Sequence, residues 1–176
     1  MENNLADKIN IPKSLNKLIT DVNNNEDWCD DFEYICTTGD KCGSLIPTKI
    51  EKKLLKQLKK EYPDLDLNHP IDDCHLGDIY SNLLKCGIEV KICQGWGKQD
   101  LTIWQNGTIQ SHSKYFLFLR VHYKDNQIVL DYAYYGYMSY SDWTIHKVGK
   151  DKNGNQKYSG MNIGIKKIKQ FCKKII

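Results

Sequence analysis

The sequence predicts a mixed α/β (α+β) fold, a mixed central β-sheet flanked by helices. Three observations predict it. Apolar residues at helical spacing dominate residues 11–62, apolar and β-branched strand-like runs take over from residue 78, and a lysine-studded helical pattern returns at the C-terminus. Helices followed by a run of strands and a final helix bury their apolar faces by packing the helices on the sheet.

The elements follow in chain order. "IPKSLNKLITDV" opens on Pro12 and sets Leu15, Leu18, Ile19 and Val22 on one face, a short helix. "NNNEDW" is a break or helix start, and "TTGDKCGSLIP" is a glycine- and proline-containing loop. In "TKIEKKLLKQLKKEY", Thr48 and Glu51 have the spacing of a capping box, and Ile50, Leu54, Leu58 and Tyr62 form a helical stripe. "PDLDLNHPIDD" reads as a polar loop.

"DIYSN" is then a short strand and "GIEVKIC" an apolar, β-branched one. "LTIW" and "TIQSH" flank Gln105-Asn106-Gly107, a hairpin signal. "YFLFLRVHY" and "IVLDYAYYGYM" are long strands, the tyrosines of the second suited to a core on one side and a subunit interface on the other. From "SDW" through "KDKNGNQKYSG" the chain reads as loop, and "IGIKKIKQFCKKI" as a closing helix. The 176 residues form one expected domain: 1–46 an N-terminal helical segment, 47–140 the core, 141–176 a C-terminal loop and helix.

Composition narrows the class. Hydrophobic residues at 40% and charged residues at 27% describe a soluble globular protein. No run of about 18 apolar residues is present, so no membrane partner is expected. Seven irregularly spaced cysteines and no recognisable signal peptide predict free thiols and a reducing, cytoplasmic setting, where Asn106-Gly107-Thr108 is a turn and not a glycosylation site. Cys29, Cys36, Cys42, Cys74 and His75 lack the spacing of a zinc knuckle.

The net charge is +3, and lysines crowd the C-terminus and residues 49–60. Such faces are either simply solvated or form a phosphate-contacting rim.

The chemistry concentrates in "LGDIYSNLLKCGIEVKI". Strand alternation puts Glu89 and Lys91 on one face, with Ile88, Val90 and Ile92 on the other. If the chain folds back between them, with Gly87 as the hinge, Asp78 meets Glu89. Two converging carboxylates make a hard oxygen site for Mg²⁺ or Mn²⁺. A lysine beside them suits the charge that develops on a phosphoryl group, or the orientation of an attacking water. Asp72 and Asp73 are alternative first carboxylates, and Asp64 of the literal Pro63-Asp64 pair is a weaker one.

Asp78-x10-Glu89-x-Lys91, with glycine before the aspartate and apolar residues around "IEVK", resembles the signature of the PD-(D/E)xK nuclease superfamily, most of all type II restriction endonucleases. The resemblance spans roughly residues 46–140. It implies a restriction-endonuclease-like sheet and Mg²⁺-dependent hydrolysis of double-stranded DNA at specific sites, with Mn²⁺ as a substitute ion. It also implies a homodimer and a bacterial, intracellular setting. By the same resemblance Asp78, Glu89 and the Val90 carbonyl hold the metal, Lys91 is catalytic, and Glu51, or secondarily Glu61, is the extra glutamate some members carry on the preceding helix.

The resemblance further implies base and phosphate contacts from the stretch after Lys91, here from Lys98, Gln99, Gln110, Ser111, His112, Ser113 and Lys114. A junction resolvase, a repair nuclease or a non-catalytic nucleic-acid-binding protein are the alternatives.

Overall fold

The structure is a computed structural model describing residues 4–25, 45–70, 76–94, 102–105, 114–125, 127–150, 154 and 156–176. Helix α1 (Ile11–Asn23) begins where the Asn10 side chain accepts from the Lys13 amide at 3.0 Å and Pro12 occupies the first turn. Its face of Ile11, Leu15, Leu18 and Val22 is buried.

Helix α2 (Leu45–Glu61) starts earlier than the capping-box spacing suggests, so Thr48 falls inside the helix and the Thr48–Glu51 pair does not cap it. Ile50, Leu54 and Leu58 are buried, as their spacing requires. A 3-10 turn (Pro63–Leu65) and a two-residue strand, β1 (Leu67–Asn68), occupy part of what reads as loop.

The remaining strands are β2 (Ile79–Ser81), β3 (Cys86–Gln94), β4 (Thr102–Gln105), β5 (Lys114–Lys124), β6 (Gln127–Met138), β7 (Thr144–Lys150), β8 (Gln156–Gly164) and β9 (Lys173–Lys174). Among the described residues they form a six-stranded sheet in the order β1-β2-β3-β5-β6-β9 and a three-stranded sheet in the order β4-β8-β7. Only β3 and β5 run parallel among these described neighbours, so the large sheet is mixed. The expected fold class is therefore met.

Two local expectations differ. Residues 141–176 hold β7, β8, a short helix α3 (Ile165–Phe171) and β9 in place of a loop and a long helix. The polar runs of β7 and β8 become strands through pairing with each other and with β4, which intrinsic propensity does not register. β4 accordingly pairs with β8, while the remainder of the Asn106-Gly107 hairpin expectation falls outside the described residues.

Period-two alternation sorts the large sheet into two faces. Ile88, Val90, Leu117, Leu119, Ala133 and Tyr135 join the buried faces of α1 and α2 in one core. Phe116, Phe118, Tyr134 and Met138 pack with Trp143, Ile163, Ile168 and Cys172 in a second. Cα registers Glu89↔Phe116 and Lys91↔Phe118 assign the two charged residues to this second face. Among the described residues no helix is long and apolar enough to cross a membrane.

Candidate active site

The turn between β2 and β3 closes tightly: the Lys85 amide donates to the Ser81 carbonyl at 2.9 Å, and Lys85 adopts φ 54°. Two glycines fit the segment before β2 against β3. Gly77 takes φ +87°, and a Cβ there would stand 2.8 Å from the Ile88 carbonyl oxygen. Gly87 lies within β3 and is not a hinge; a side chain at that position would strike the Leu76 carbonyl.

Backbone pairing between β2 and β3 ends at Ile79↔Ile88. Beyond it, the Asp78 side chain continues the ladder, its Oδ2 accepting from the Val90 amide at 2.7 Å. This bond fixes Asp78 beside Glu89 and Lys91. The Lys91 ammonium donates to Glu89 Oε1 at 2.5 Å, and Glu89 is 8% exposed.

Glu51 completes the group from α2. A cleft of about 40 Å³ is lined by Glu51, Lys52, Leu55, His69 and Asp78. Burial, the Asp78 carboxylate and then Glu89 raise the Glu51 pKa to about 7, against the opposing pull of Lys91. Asp78 is likewise raised, first by burial and then by Glu89, with Lys91, the Val90 amide and His69 acting the other way. For Lys91 burial disfavours the ammonium, but Glu89, Asp78 and Glu51 outweigh it, so its pKa is raised and the side chain stays charged.

His69, which carries no motif in the sequence, also joins this group. Its ring Nδ1 lies 2.8 Å from the Asp78 carbonyl oxygen, which can only accept, so Nδ1 carries the proton. "NHP" gives no spacing signal for this; the contact exists because β1 pairs with β2.

Other expected residues fall elsewhere. Glu61 accepts from Ser14 at 2.5 Å and from Gln57 at 2.8 Å, and pairs with Lys17, so it fastens α1 to α2. Asp64 is exposed in the 3-10 turn. Asp72, Asp73, Lys98, Gln99, Gln110, Ser111, His112 and Ser113, with the five candidate zinc ligands, lie outside the described residues; Lys114 opens β5.

Further along the second face, Arg120 Nε lies 3.2 Å from Asp131, whose other oxygen is 2.9 Å from His122 Nδ1. The register shift at Arg120/Val121 leaves Asp131 as the extra residue of a β-bulge, aiming it at this pair.

The donor chemistry fits a divalent cation. Three carboxylates face one ammonium, and their mutual repulsion is what lifts Glu51 toward neutrality beyond the effect of burial. Among the described residues no three His, Cys, Asp or Glu side chains form a closed metal-binding group, so the fit rests on Asp78 and Glu89, with the Val90 carbonyl between Glu89 and Lys91 as a further oxygen.

This electrostatic arrangement has a measurable sign. A glutamate whose folded pKa is raised from 4.5 to about 7 stabilises fully below 4.5, and that contribution is lost as pH rises through 7. In EDTA, Glu51→Gln is therefore expected to melt with the wild type at pH 3.5 and several degrees above it at pH 8, about 2–4 °C for each kcal/mol of the effect. Equal gaps at both pH values would refute the crowded-carboxylate arrangement.

No protein-family model, curated protein or solved structure matches the chain.

Proposed function

We propose that the chain is a Mg²⁺-dependent, site-specific endonuclease for double-stranded DNA, acting as a homodimer and resembling type II restriction enzymes. One observation carries this reading: the Asp78–Val90 bond, which sets a carboxylate beside the Glu89–Lys91 pair and in the same cleft as Glu51.

Hydrolysis joins a water oxygen to phosphorus and breaks one bridging P–O bond, whose oxygen takes a proton from solvent as it leaves. Asp78, Glu89 and the Val90 carbonyl are the residues to hold Mg²⁺, which when bound supplies charge neutralisation and lowers the pKa of water. The Lys91 ammonium meets the negative charge that grows on the non-bridging oxygens. Held charged by its carboxylate neighbours, it acts as an electrostatic group and not as a base. Glu51, with a pKa of about 7, is matched to receive the proton of the attacking water. His69 steadies the backbone at Asp78.

Incubating the protein with plasmid and phage DNA, in Mg²⁺ and separately in EDTA, tests the proposal. Discrete fragments that disappear in EDTA are expected. Cleavage of branched DNA alone would favour a resolvase. Failure to cut duplex, branched or single-stranded DNA in Mg²⁺ or Mn²⁺ would sink the enzymatic reading.

A further inference from the structure

A second feature lies on the opposite flank of α2. Between α1 and α2 runs a groove of about 250 Å³ whose lining includes Lys17, Lys53, Lys56 and Lys60, with Asp21 its one carboxylate among the described lining residues. At about 100° per residue, Ile50, Leu54 and Leu58 point inward, while Glu51 and Leu55 flank the cleft. Lys53, Gln57 and Lys60 turn toward α1. Lys52, Lys56 and Lys59 occupy the exposed outer ridge; Lys52 also lines the cleft and Lys56 the groove, so positive charge runs continuously from one to the other.

This is not how a merely soluble helix face is built. Such a face intersperses glutamate with lysine at i,i+4, whereas α2 sets Lys52 against Lys56 and Lys56 against Lys60, pairs that repel. Both glutamates of α2 are turned away, Glu51 into the cleft and Glu61 onto Ser14. Lys59 and Lys60 complement the helix C-terminus by themselves; Lys53 and Lys56 lie before that last turn. Four lysines against Asp21, with Lys17 shared with Glu61, leave the groove net positive and complementary to a polyanion.

We propose that the α1–α2 groove holds the phosphate backbone of double-stranded DNA, independently of sequence, beside the segment engaged at the cleft. The inference rests on the nuclease reading for the identity of the polyanion. It goes beyond it in assigning a surface outside the catalytic residues. The charge spacing of duplex DNA, one phosphate per about 1.7 Å of axis, makes a row of lysines an efficient site for releasing condensed counterions.

The test measures binding of the full chain to an about 30-base-pair duplex by fluorescence anisotropy in EDTA, where no cutting occurs, across a range of NaCl concentrations. The triple substitution Lys53→Gln, Lys56→Gln, Lys60→Gln is compared with wild type and with a control, Lys166→Gln, Lys169→Gln, on the exposed side of α3. The groove variant is expected to lower the slope of log K against log[NaCl] by about 2–3 and to keep its melting temperature. The control is expected to change it less. An unchanged slope in the folded groove variant, or no duplex binding by the wild type, would overturn the proposal. If the slope falls but the wild type never cuts in Mg²⁺, the groove stands and the nuclease reading fails. If it cuts and the slope does not move, the reverse holds.

Discussion

Asp78→Asn is expected to lower the rate of DNA cleavage by about 10²–10³-fold or more while raising, not lowering, the stability of the metal-free protein. The two effects share one cause. Asparagine keeps an oxygen to accept from the Val90 amide, so the contact that aligns β2 with β3 survives. It removes a carboxylate whose pKa is raised by burial and by Glu89, and with it the repulsion this charge exerts on Glu51. The same charge is half of the oxygen pair assigned to the metal. Single-turnover cleavage in Mg²⁺ and thermal melts in EDTA at pH 8 measure the two sides. Wild-type cleavage by Asp78→Asn would move the first carboxylate to Asp72 or Asp73; loss of both activity and stability would make Asp78 a structural residue.

Phe118→Ala is expected to cost about 3–5 kcal/mol of folding stability, the largest effect of any single truncation argued from this fold. Phe118 is 0% exposed, stacks on Phe116 at 5.4 Å between ring centroids and tilts against Trp143 at 6.1 Å. It belongs to the second core, which joins the large sheet to Ile163 of β8 and Ile168 of α3. It is also the register partner of Lys91 on the parallel strand. Urea melts of the variant should show a lower midpoint, and Phe118→Leu should recover most of the loss. A loss below about 1 kcal/mol for the alanine variant would mean that this face is not a packed core.

Much of this architecture was legible in the sequence, for particular physical reasons. Helices α1 and α2 were visible because Leu15, Leu18 and Val22, and Ile50, Leu54 and Leu58, repeat at the helical period. β3, β5 and β6 were visible because they are long and apolar. β7 and β8 were missed because "TIHKVGK" and "QKYSGMNIG" carry lysine, glycine and asparagine, and only their partners make them strands. The pairing of Glu89 with Lys91 followed from alternation alone. The position of Asp78 did not, because it depends on a side chain taking over a backbone ladder. By spacing Glu51 fits a capping box with Thr48, and the earlier start of α2 excludes that role.

The β2–β3 turn also bears on the order in which the molecule assembles. Asp78 and Val90 are separated by 12 residues and are brought together by a local antiparallel hairpin, which forms on the microsecond scale. The parallel pairing of β3 with β5 must instead close a much longer loop that contains β4, a strand of the other sheet, and parallel pairing of this kind is intrinsically slow. Asp78 and Glu89, the two carboxylates proposed to hold Mg²⁺, therefore sit on the part of the chain that can meet first. Their mutual repulsion opposes that early hairpin.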